Sequence, residues 1–143
     1  GLLPLPVSGR IIEKFGQDDG SGDTFPGISI ATRPEARVIS PADSWIVYAG
    51  PFRSYGQLLI LNAGQGYHVV LAGMESINVQ PGQFVLVGEP IGTMGSQRVA
   101  STGAIDVTTQ APTLYVEFRD EEDSIDPSPW WAPTSLERAS NGS

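Results

Sequence analysis

A chain of 143 residues is long enough for one domain with its own core, and its 17 Gly and 12 Pro, set among short apolar runs, favour a turn-rich all-β fold. Eight Lys and Arg against sixteen Asp and Glu leave a net charge of −8, which argues against a nucleic-acid partner because phosphate binding needs a basic patch. Cysteine is absent, so there is no disulfide framework and no thiolate metal site, and no run is long and apolar enough to span a membrane.

Residues 1–7 are broken by Pro4 and Pro6 and are expected to lie along the surface; the abrupt opening at Gly1 reads as that of a processed or excised piece. A short strand is predicted over residues 11–15. Residues 17–23 form a Gly- and Asp-rich loop that lacks the spaced ligands and closing Glu of a calcium site, so it reads as solvated. Residues 25–31 predict a strand with Ile28 and Ile30 inward and Phe25, Gly27 and Ser29 on the other face. Further strands are predicted over 37–40 and 45–49, followed by a loop over 50–56 that holds Arg53, Ser54 and Tyr55. Residues 57–62 and 67–72 make the clearest hairpin, joined by 63–66. Pro81 and Gly82 mark a turn, because Pro presets its first corner and Gly accepts its second. A strand over 84–87 and a turn over 88–92 follow. Residues 96–112 are weakly periodic and predict a long loop; the acidic run 120–123 reads as a solvated turn.

The best-specified strand is 113–119. Leu114, Val116 and Phe118 fall on one face, which belongs in a core, and Thr113, Tyr115, Glu117 and Arg119 on the other. That second face is polar but bulky, and it reads as the floor of a groove. After it, Asp126, Pro127, Trp130 and Trp131 close the domain, with the Trp pair expected to plug the end of a sheet rather than to stack on sugars. Residues 132–143 are polar and expected to fray.

The run 113–119 resembles the last motif of LytM/lysostaphin-like zinc peptidases, His-x-His-Phe-Glu followed closely by Arg. The resemblance covers residues 8–131 and rests on ordered pieces: Gly9 and Arg10 through Gly16, Gly27 through Ile30, Val38 through Ala42, Trp45 through Gly50, Tyr55 and Gly56, Val79 through Gly92, Leu114 through Arg119, and Asp126 to Trp130. It implies an all-β fold, a curved antiparallel sheet crossed by a groove. The family's His-x-x-x-Asp zinc motif falls on Phe25 and Ser29, its catalytic His after the hairpin on Gly73, and its closing His pair on Thr113 and Tyr115. Every ligand and catalytic position thus departs from the pattern, and a zinc site needs about three N, S or carboxylate ligands. The chain is therefore expected to bind no metal or other cofactor and to be no enzyme. The single histidine, His68, is set by alternation on the face opposite Val69, Leu71 and Gly73 and is expected to lie off the groove. No Ser-His-Asp set assembles around it. The run 79–92 also resembles half of a biotinyl/lipoyl-like sandwich, but the only lysine, Lys14, is not on a hairpin tip.

Within the family the sequence looks like the degenerate LytM domain of EnvC-type murein hydrolase activators. This implies a periplasmic domain that switches on an N-acetylmuramoyl-L-alanine amidase during septal peptidoglycan cleavage, by binding the amidase's regulatory helix in the degenerate groove. The expected groove carries Phe25, Pro26, Ser29, Tyr55, Leu71, Gly73, Tyr115 and Arg119. The coiled coil that usually precedes such domains is not visible, so the chain is expected to be the C-terminal part of a longer protein. The alternative is a peptidoglycan-binding module that only anchors.

Overall fold

The computed structural model describes residues 4–18, 20–24, 26–52, 56–96 and 111–120, and the backbone of 123–125. Every regular element among them is a strand: β1 Gly9–Glu13, β2 Ile28–Thr32, β3 Arg37–Ile39, β4 Ser44–Pro51, β5 Gln57–Gly64, β6 Tyr67–Met74, β7 Ser76–Ile77, β8 Phe84–Val85, β9 Pro90–Thr93, β10 Thr113–Asp120 and β11 Asp123–Ile125. Eight form one antiparallel sheet, with β1-β2-β10-β6-β5-β4-β8 in order and β11 on β10; β3, β9 and β7 form a smaller one. The all-β antiparallel fold is as the sequence implies.

Period-2 patterning explains the large sheet. Along β10, Leu114 and Val116 are fully buried and Phe118 nearly so, while the residues between them are half-exposed. Their neighbours in the core are Leu59 and Leu61 of β5, Val69 and Leu71 of β6, and Ile28 and Ile30 of β2. The small sheet contributes Val38 and Ile91 to the same core. Each such side chain contributes about 1.5–3 kcal/mol through burial. The Pro81–Gly82 turn closes as expected, with Gln83 N–H donating to the Gln80 carbonyl at 3.1 Å.

Several local expectations are corrected. Leu5 and Val7 are core residues, not surface ones: the Pro6 carbonyl accepts from Ile39 N–H at 2.7 Å, which ties this arm to β3. The strand expected over 84–87 stops at Val85, because Leu86 begins a turn whose carbonyl accepts from Glu89 N–H at 3.0 Å. Residues 90–93 are strand β9 rather than turn; Ile91 and Gly92 are buried between β3 and β7. The loop expected over 96–112 and the Trp130–Trp131 closure lie outside the described residues, apart from Ser96, Ala111 and Pro112.

Candidate functional site

Cross-strand register sets out the outer face of the large sheet, opposite the core, as three rows. In the first, Glu13, Ser29, Tyr115, Ala72 and Leu58 lie side by side on β1, β2, β10, β6 and β5. In the second, Glu117, Val70, Ile60 and Tyr48 align. In the third, Arg119, His68, Asn62, Trp45 and Phe84 align across β10, β6, β5, β4 and β8. Directly paired residues of an antiparallel sheet project to the same side.

A hydrogen-bonded network occupies the β1-β2-β10 end. Ser29 Oγ donates to Glu13 Oε1 at 2.8 Å. Tyr115 Oη donates to Glu117 Oε1 at 2.6 Å, and Arg119 Nη1 pairs with the other oxygen, Glu117 Oε2. One carboxylate thus holds both side chains, the geometry expected of a charge-assisted pair. Burial pushes the Tyr115 phenol well above its ordinary value, and its hydrogen bond to Glu117 and that residue's charge push it further. Tyr115 is a neutral donor at physiological pH, not a ligand or nucleophile.

Glycine makes this packing possible at two places. A Cβ on Gly27 would run into the Val116 carbonyl and stand 2.8 Å from Tyr115 Oη. The Tyr115 ring therefore lies over Gly27 because nothing stands in its way. Gly73 has φ 111° and interrupts the β5–β6 register, with Gln57 opposite Met74 and Leu58 opposite Ala72. This one-residue bulge returns Met74 to the core.

The expected groove residues separate under this geometry. Ser29, Tyr115 and Arg119 share the outer face, with exposed Pro26 close by in the sequence and Gly73 at its bulge. Leu71 is corrected: it is opposite Val116 and fully buried, so it is a core residue. His68 is corrected too. It is paired with Arg119 and lies on the outer face, because alternation sets it apart from Val69 and Leu71, which face the core. Phe25 and Tyr55 lie outside the described residues. Glu13 was not among the expected site residues, whereas Glu117 was expected on the groove floor with Tyr115 and Arg119. Glu117 sits between Tyr115 and Arg119 in the period-2 pattern, which is a usable signal; Glu13 arrives through strand pairing that no local pattern encodes.

Residues 24–127 match Peptidase family M23. The chain belongs to this family. It is 33% identical over 123 residues to the murein hydrolase activator NlpD of Escherichia coli, covering 85% of this chain and 29% of NlpD. It is 31% identical over 135 residues to the cell division protein DipM of Caulobacter vibrioides, covering 90% of this chain and 20% of DipM. The chain thus spans less than a third of the length of these curated relatives. Among solved structures, Csd3 of Helicobacter pylori superposes with a TM-score of 0.74 at 21% identity, covering 99% of this chain and 41% of Csd3. That likeness shows the fold.

Peptidases of this fold imply zinc, and the donors present do not fit it. At the positions that the resemblance assigns to ligands, Ser29 gives its hydroxyl to Glu13 and Tyr115 retains its proton in the bond to Glu117. Phe25 carries no donor atom. Among the described residues no three His, Cys, Asp or Glu side chains gather as a metal site would require.

Proposed function

We propose that this domain is a non-catalytic activator of a peptidoglycan N-acetylmuramoyl-L-alanine amidase, acting in the periplasm on the wall cleaved at division. The observation that carries the reading is that Ser29 and Tyr115, at positions the resemblance assigns to metal ligands, are instead engaged by Glu13 and by Glu117, which also holds Arg119. Side chains so engaged present a shaped surface, with Ser29 buried and Glu13, Tyr115, Glu117 and Arg119 partly exposed. The names of the relatives NlpD and DipM, a murein hydrolase activator and a cell division protein, support the same direction.

The proposed mechanism is a population shift. An amidase whose own helix blocks its zinc site is released when a partner binds the open form more tightly. The outer face offers the helix Tyr115 as aromatic area and Arg119, steadied by Glu117, as a guanidinium for an acidic side chain. The test is a pull-down with the organism's own amidase, followed by dye release from labelled peptidoglycan. The chain alone should release no dye, and adding it should accelerate the amidase. Dye release by the chain alone, at a rate independent of amidase, overturns the proposal.

A further inference from the structure

We infer that the exposed ridge of Trp45, Tyr48 and Phe84, at the β4–β8 end of the sheet, is a second anchor for the partner segment received at the Tyr115–Arg119 end, and that the segment's apolar side chains are flanked there by Lys or Arg. This rests on the partner reading above and deepens it.

Position comes first. Trp45 and Phe84 end the same cross-strand row that begins with Arg119, and Tyr48 ends the row that begins with Glu117. The ridge is therefore continuous with the proposed docking face. Five strands separate its ends by about 19 Å, the length of a helix of about 13 residues.

Exposure comes second. Trp45 is 54% exposed and Phe84 44%, although their rings meet edge-to-face at 4.8 Å. Ile12 apart, every exposed large hydrophobic side chain among the described residues lies in 45–52 or 84–87. Such residues scattered singly need no explanation, whereas a contiguous cluster marks a binding surface.

The mode of contact and the charge of the occupant follow from the rim. Val87 N–H donates to Asp43 Oδ1 at 2.8 Å and Leu86 N–H to Glu89 Oε1 at 3.0 Å. These amides beside β8 are already occupied, which disfavours a partner that adds a strand there and favours side-chain contact. Asp43 and Glu89 are also the only charged residues in 40–52 and 76–90. An apolar face with a carboxylate rim suits a basic amphipathic segment and disfavours an anionic lipid surface. A second copy is opposed by the net charge of −8 on each chain, with no cation in these segments to offset it.

The experiment titrates the 143-residue chain with the organism's own amidase, using wild type, the double variant Trp45→Ser/Phe84→Ser and Tyr115→Ala, each checked by thermal melt and sedimentation. The expected result is that the double variant, still monomeric and folded, binds about 30-fold more weakly. Should the double variant fail to fold, the single exposed change Val47→Glu serves in its place. Unchanged binding by the ridge variant beside weakened binding by Tyr115→Ala overturns the ridge and leaves the partner reading standing. Weakening by the ridge variant alone overturns the shared footprint. A wild-type chain that ignores the amidase overturns both. A wild-type dimer that the ridge variant dissolves assigns the ridge to a second copy and overturns the inference.

Discussion

The two faces of strand β10 differ in what constrains them. Its inner residues Leu114, Val116 and Phe118 are locked among side chains from both sheets, so their size and shape are dictated by neighbours. Its outer residues Tyr115 and Arg119 both bond to Glu117 between them, and Tyr115 lies in register beside Ser29, which bonds to Glu13. The inner face fixes the fold shared with zinc peptidases. The outer face tolerates exchange of its chemistry, provided the replacements satisfy their own polar atoms. A Tyr–Glu–Arg set does so within a single strand.

The largest expected effects lie on the inner side. Leu71→Ala should cost about 2–5 kcal/mol, because it removes a fully buried side chain opposite Val116. Denaturant unfolding measures this. A stable Leu71→Ala variant with lost amidase binding would return Leu71 to the outer face. Gly27→Ala should be next in size, at about 1–3 kcal/mol, since its Cβ forces β10 or the Tyr115 ring to move. A thermal melt reads the loss, and Gly27→Ala combined with Tyr115→Ala should recover part of it if the ring is what moves.

On the outer side the expected effects are smaller. Tyr115→Phe removes the hydroxyl from Glu117 and should cost about 1 kcal/mol. Alkaline pH sharpens the same point. The folded Tyr115 phenol holds its proton more tightly than the unfolded one, so its contribution is fully present below the ordinary tyrosine value of about 10 and is lost as pH rises above it. In an ultraviolet titration Tyr115 should ionise only as the chain unfolds, and Tyr115→Phe should remove that late step. A titration that Tyr115→Phe leaves unchanged would contradict the burial and bonding described.

Much of this was legible in the sequence. The strict alternation over 113–119 identifies the core face of β10 directly, and the hairpin of β5 and β6 is announced by its apolar runs and Gly-rich turn. What failed was pairing across strands. Alternation shows that Leu71 and Tyr115 each belong to a face, but not that Leu71 meets Val116 while Tyr115 meets Ala72. The bulge at Gly73 adds a further shift that period-2 reasoning carries straight through. His68 follows Leu71: alternation sets the two on opposite faces, so with Leu71 in the core His68 lies on the outer face, where register brings it beside Arg119. The short strands β7 and β9 lack any pattern of their own; β9 forms on the edge of β3, β7 on the edge of β9, and the core offers Ile91 a buried surface.

The proposed division gives the outer face of β10 to a partner and its inner face to the fold. Arg119→Ala tests it most directly, by a thermal melt run beside a titration with the organism's amidase. The side chain lies at the end of the strand and is 37% exposed, so the melting temperature should change little while binding weakens by about 1–3 kcal/mol. Near-wild-type binding would place the interaction surface elsewhere, and a large fall in melting temperature would mean that this face is part of the core.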